Sequence, residues 1–287
     1  MNESSFEGVG GLKIFTRSWQ PAGAAPRAVL VIVHGFNSHS GQYLWAAEQF
    51  AANGLAVYAL DLRGRGRSEG ERFYVEKIDD FTDDVETLVT QAKAENPGLP
   101  VYVLGHSAGG VTACVYTLEH QDEIDGLICE SFAYELPVPD IALSFLKGLS
   151  YITPHTHVFS LNNKDFSRDP AVVESMNEDI LIKGESQPAQ TAKVLINAAA
   201  RLKEEFPLIT IPVLILHGTE DHATKPSGSQ HFYEQAGSTD KTLKLYEGHF
   251  HDLLNDIDKE VVMADIQNWL DERIPAQENE SSAVSGN

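Results

Sequence analysis

Along most of its length the chain alternates short, almost wholly apolar runs with longer stretches in which apolar positions recur every three or four residues. The runs over 13–19, 28–33, 56–61, 101–104, 126–129, 213–217 and 242–246 have the length and β-branched content of strands. Ahead of them, Ser5-Phe6-Glu7 and the glycines at 8, 10 and 11 predict a short strand and a turn, so the sheet opens with an antiparallel hairpin. The helical period predicts helices over 42–53, 78–95, 109–120, 227–235 and 259–273. Apolar strands separated by helices mark a mostly parallel central sheet covered on both faces, and the fold class is α/β.

The alternation stops between about residues 132 and 206. This stretch carries Pro137, Pro139, Pro154, Pro170 and Pro188 and no strand-like run, and its amphipathic segment includes Ile141, Leu143, Phe145, Leu146 and Leu149. It is too long for a single crossover. The expected organisation is a core of residues 1–131 and 207–274, a helical cap of 132–206 over the carboxyl edge of the sheet, where open α/β folds bind ligands, and a disordered tail of 275–287.

Composition narrows the partners. The 287 residues include 42 acidic and 21 basic side chains, a formal net charge of −21, which argues against nucleic acid as a partner and against an electrostatic grip on anionic membranes. The amino terminus is polar and acidic, and no apolar stretch approaches the roughly 20 residues of a membrane span. The expectation is a soluble, cytoplasmic protein without stable membrane insertion, touching lipid at most transiently through the cap. Cys114 and Cys129 lie in apolar segments without CxxC spacing and read as core side chains.

The chemistry is carried by Gly105-His106-Ser107-Ala108-Gly109, which follows the apolar run 101–104 and precedes a helical stretch. Between a strand and a helix this pentapeptide reads as a nucleophile elbow, a turn tight enough to hold its serine in strained dihedrals. A serine hydroxyl is a poor nucleophile at neutral pH, so it needs an imidazole to take its proton and a carboxylate behind that imidazole. Chain order in such hydrolases is Ser, then Asp or Glu, then His, each on a loop after a strand. The loop after 213–217 offers Glu220 and Asp221, with Glu130 a distant third, and the loop after 242–246 offers His249 and His251. His106, His217, His222 and His231 read as polar neighbours or surface residues. For the oxyanion hole, Ala108 supplies one amide, and the sharp turn at Gly35 leaves the amide of Phe36 as the second. Neither His155/His157 nor His249/His251 has a signposted third ligand, so no metal and no cofactor are expected. The glycine-rich segment 64–70 lacks a helix directly behind it and reads as a turn rather than a phosphate cradle.

His34-Gly35-Phe36-Asn37-Ser38-His39-Ser40-Gly41-Gln42-Tyr43, the segments 61–72 and 105–110, and the segment 240–248 resemble the successive motifs of the monoacylglycerol lipase and lysophospholipase group of α/β-hydrolases. The likeness runs from about Gly11 to Leu270. It implies the α/β-hydrolase fold, Ser107 as nucleophile, Asp221 as acid, His251 as base, Phe36 and Ala108 as oxyanion donors and a lipid-facing cap. Substrate contacts are expected from Ser38, Gln42, His106, Leu143, Phe145, Leu146 and Phe166. Where the family carries a glutamate and an arginine in the oxyanion loop this chain has Ser38 and Gln42, and the cap tyrosine that contacts glycerol corresponds to Phe166. The resemblance therefore implies ester cleavage more firmly than recognition of glycerol. The expected activity is hydrolysis of a small-molecule ester with an apolar acyl chain, monoacylglycerols first and alkyl or aryl esters next. A peptidase or C–C hydrolase on the same fold and a ligand-binding protein that has dispensed with turnover are the competing readings.

Overall fold

The apolar runs do form one sheet. In a computed structural model that describes residues 1–137 and 139–275, the strands are β1 (Asn2–Glu7), β2 (Lys13–Trp19), β3 (Ala28–Val33), β4 (Leu55–Leu60), β5 (Val101–His106), β6 (Gly126–Glu130), β7 (His157–Phe159), β8 (Gln187–Pro188), β9 (Val213–Gly218) and β10 (Lys241–Tyr246). Eight of them join in the order β1-β2-β4-β3-β5-β6-β9-β10, with β1 and β2 antiparallel and the remainder parallel from β4 onward. The hairpin expected at the amino terminus sets Phe6 opposite Ile14.

The α-helices among the described residues are α1 (Leu44–Ala52), α2 (Ile78–Glu95), α3 (Ala108–His120), α4 (Asp140–Ser150), α5 (Pro170–Glu178), α6 (Ala189–Glu205), α7 (Pro226–Gln235) and α8 (Lys259–Asp271). The period of two along β3 divides the core. Val29, Val31 and Val33 belong to the buried cluster on the side of α2, α3 and α7, while Leu30 and Ile32 belong to the one on the side of α1 and α8. On α2, Phe81, Val85, Leu88, Val89 and Ala92 fall on one buried stripe, and the Asp80 carboxylate accepts the Lys77 amide at the helix start.

Between β6 and β9 the chain leaves the sheet and folds as α4, α5 and α6 with the small antiparallel ribbon β7–β8. This corrects the expectation of a strandless stretch. Strands of three and two residues, the second ending in Pro188, leave no apolar run to read. We refer to the segment as the cap. Phe166, Met176 and Ile182 form its own buried cluster. The expected tail lies, from residue 276 on, outside the described residues. No helix among those described is long and apolar enough to cross a membrane.

Candidate active site

Ser107 links β5 to α3 with φ 56° and ψ −120°, the left-handed backbone that the elbow reading requires of a non-glycine residue. A Cβ on Gly109 would stand 2.2 Å from the Val33 carbonyl oxygen and 2.4 Å from that of His34, so glycine is what lets α3 begin so close to β3. The amides of Phe36 and Ala108 are both free of backbone acceptors among the described residues, and both residues line the same cavity as Ser107.

Asp221 follows β9 and His251 follows β10, and His251 Nδ1 lies 2.7 Å from Asp221 Oδ2. The same carboxylate oxygen accepts from Thr224 Oγ1 at 2.7 Å and faces His217 Nε2 at 3.0 Å, while Oδ1 accepts the amides of Ala223 and Thr224 at 2.8 and 2.9 Å. Burial alone would push this carboxyl up. The charge of His251 and the hydrogen bonds from His217 and His251 outweigh burial and hold it well below the usual carboxylate range. His251 Nε2 is buried and has no partner among the described residues, so it is free to take a proton. Catalytic hydrogen bonds commonly close only when substrate is engaged.

The alternatives in each loop lie elsewhere. Glu220 is exposed, and the His249 ring turns to the Glu247 carbonyl at 3.2 Å and packs on Tyr246. Glu130 is fully buried at the end of β6, where its carboxylate accepts the Leu254 amide at 3.1 Å; it steadies the turn after His251 and makes no bond to the ring. His222 is exposed and His231 stacks on Tyr134. His217, read from sequence as a bystander, is wholly buried between Asp221 and Ser229 Oγ, at 2.7 Å from the latter. The signal for it was its place at the very end of an apolar strand, next to the acid loop.

A cavity of about 120 Å³ ends on Ser107. Its walls are almost entirely apolar, with Leu143 and Leu146 from α4, Leu195 and Ile196 from α6, and Leu161 from the cap loop. Of the expected substrate contacts, only Leu143 and Leu146 line it. Phe145 is a correction: at 69 % exposure it lies on the outer face of α4 with Ile141, one turn away, because the i, i+4 pair shares a face opposite Leu143 and Leu146. Phe166 packs edge-on against His251, with ring centroids 5.0 Å apart, and not in the cavity. Ser38 is buried against Tyr43, and Gln42 lines a separate cleft beside Asp179. His106 lies behind the elbow, bonded to the Tyr43 hydroxyl at 3.0 Å and facing the His251 carbonyl at 3.3 Å.

His106, Glu130 and Asp252 bring one potential metal-ligand atom each within 4.8 Å of one another. Both His106 nitrogens are already engaged, and burial pushes the Glu130 carboxyl well up and the Asp252 carboxyl up to about 6.

A family model described as serine aminopeptidase, S33, matches residues 24–258. The chain is similar to a monoacylglycerol lipase of Mycolicibacterium smegmatis, 34 % identical over 94 % of this chain and 96 % of that protein. It is 33 % identical to the human monoglyceride lipase, over 92 % of this chain and 88 % of the relative. The crystal structure of a monoacylglycerol lipase from Paleococcus ferrophilus superposes with a TM-score of 0.82 at 28 % identity, covering 91 % of this chain and 99 % of that one.

Proposed function

Because the chain belongs to the serine aminopeptidase S33 family, in its monoacylglycerol lipase group of carboxylic ester hydrolases, we propose that it cleaves monoacylglycerols and related esters of an apolar acyl chain through an acyl-enzyme on Ser107. The observation that carries this reading is the apolar cavity ending on the strained serine. Ser107 Oγ attacks the ester carbonyl while His251 Nε2 takes its proton. The Phe36 and Ala108 amides receive the charge that develops on the carbonyl oxygen, and Asp221 balances the imidazolium. His251 then gives the proton to the departing alcohol, and water, activated by the same ring, releases the acid. The cap supplies the acyl wall as a module of its own. The free buried thiols of Cys114 and Cys129 accord with a reducing compartment and so with a cytoplasmic enzyme.

The alcohol side carries less recognition than the acyl side. Ser38 and Gln42 are turned away from the cavity, and Phe166 is packed on the base. The deciding experiment is hydrolysis of monoacylglycerols and the matched ethyl esters over graded acyl lengths, with amide substrates alongside. The expected outcome is kcat/KM that climbs with acyl length until the cavity is full, differs little between glycerol and ethanol, and is negligible for amides. A large preference for the glycerol ester at one acyl length overturns the head-group part, and preferred amide cleavage overturns the reaction class.

A further inference from the structure

The glycine-rich turn after β4 holds a side chain that the reaction above leaves unused. Arg65 is the largest of the fully buried side chains, 1 % exposed. Its guanidinium lies 4.2 Å from the centroid of the Phe36 ring. Nη2 donates to Gln187 Oε1 at 2.7 Å and to the Phe73 carbonyl at 3.3 Å, and Nη1 donates to Glu185. Glu185 and Gln187 belong to the cap, while Phe36 belongs to the core loop at the cavity. On the neighbouring residue the cap takes hold again: Asn37, at φ 50°, donates through Nδ2 to the Leu161 carbonyl at 3.2 Å and to Asn163 Oδ1 at 2.8 Å. The loop that presents the Phe36 amide is thus tied to the cap at two consecutive residues.

Stability alone is a poor reason for this arrangement. An ion pair buried this deeply loses in desolvation much of what its attraction returns, and apolar side chains of like volume often serve as well. The pair is also incompletely satisfied, since Arg65 Nε and Glu185 Oε2 have no partner among the described residues. What a guanidinium offers and an apolar side chain does not is a rigid planar fork that stacks on a ring while its edges are fixed by bonds. We propose that Arg65 is a positioning residue: it clamps the Phe36 ring, through it holds the Phe36 amide where the oxyanion forms, and makes that position depend on how the cap is seated. This rests on the acyl-enzyme reading.

The test is the double variant Arg65→Met/Glu185→Met, which removes both charges and keeps the volume, so that no unpaired carboxylate is left buried. With a short soluble ester, kcat is expected to fall about 10- to 100-fold, the range for a displaced rather than a deleted oxyanion donor, with KM within about twofold. The pH midpoint of kcat/KM should stay in place, because acid and base are untouched. A folded double variant with wild-type kcat overturns the proposal, and so does a loss accompanied by a moved pH midpoint or by a large rise in KM. If that variant does not fold, Gln187→Ala keeps the ion pair and removes one arm of the fork. It should lower kcat several-fold at constant KM, and unchanged kcat there is equally fatal. Failure of the underlying reading is distinguishable, because the wild-type enzyme would then neither hydrolyse esters nor be labelled on Ser107 by a fluorophosphonate.

Discussion

Gly35 is where the two sides of the site touch, since a Cβ there would stand 2.8 Å from Ser107 Cβ and 2.9 Å from the His106 carbonyl oxygen. Gly35→Ala is therefore expected to displace the serine and cost at least about 100-fold in turnover, measured against a Ser107→Ala control that is folded and inactive. His251→Ala and Asp221→Asn should each depress kcat strongly and His249→Ala and Glu220→Gln should not; a more damaging His249→Ala would reassign the base. Residue types alone left that choice open, because both histidines follow the same strand, and only the family resemblance pointed to His251. What separates them is tertiary, the 2.7 Å approach of His251 to a carboxylate thirty positions away. That His217 shares Asp221 was signalled only by its place at the end of an apolar strand beside the acid loop. Asp252 gives a pH prediction. Burial pushes its carboxyl up to about 6, so the stability lent by its protonated form is present below the ordinary carboxylate range and is lost as pH rises through 6. Asp252→Asn abolishes that loss, and its Tm advantage over wild type should grow between about pH 4 and pH 8 by the equivalent of roughly 2 kcal/mol. A Tm difference independent of pH counts against it. Asp221 acts in the opposite sense, its contribution being present at neutral pH and lost only far into acid.

Among the elements, α4 shows what an amphipathic pattern can and cannot say. Its apolar residues were legible as too many for one solvated face, yet the pattern could not tell which side meets the cavity. Leu143 and Leu146 face inward while Ile141 and Phe145, 81 % and 69 % exposed, face out. Leu146→Trp should shorten the preferred acyl chain, since each methylene excluded forfeits about 0.8 kcal/mol of transfer, whereas Phe145→Ser should leave hydrolysis of a short soluble ester unchanged. An unaltered chain-length profile in Leu146→Trp would remove α4 from the acyl wall. The central strands β3, β4, β5, β6 and β9 were legible because each is a nearly continuous apolar run buried on both faces. The ribbon β7–β8 was not, because its pairing depends on where the cap folds back and not on its own side chains.

For the whole molecule, a net charge of −21 on 287 residues implies self-repulsion that counterions relieve. Tm should rise by a few degrees between about 10 mM and 500 mM sodium chloride, as the Debye length contracts from roughly 30 Å to under 5 Å. A flat or falling Tm would show that the acidic groups are already balanced locally. A different consequence follows from the path of the chain through the sheet. β6 and β9 are direct neighbours, yet the whole cap separates them in sequence. At equilibrium this detour is inexpensive, because closing some 80 residues instead of a dozen costs only about 2 kcal/mol. In time it is not, since β6 cannot be covered until the ribosome has made all of the cap and then β9. Until then a five-residue strand that ends buried on both faces stands as an open edge, a template for another nascent chain. Synthesis that halts within the cap should therefore yield aggregates, whereas halting after α8, when both edge and faces are covered, should not.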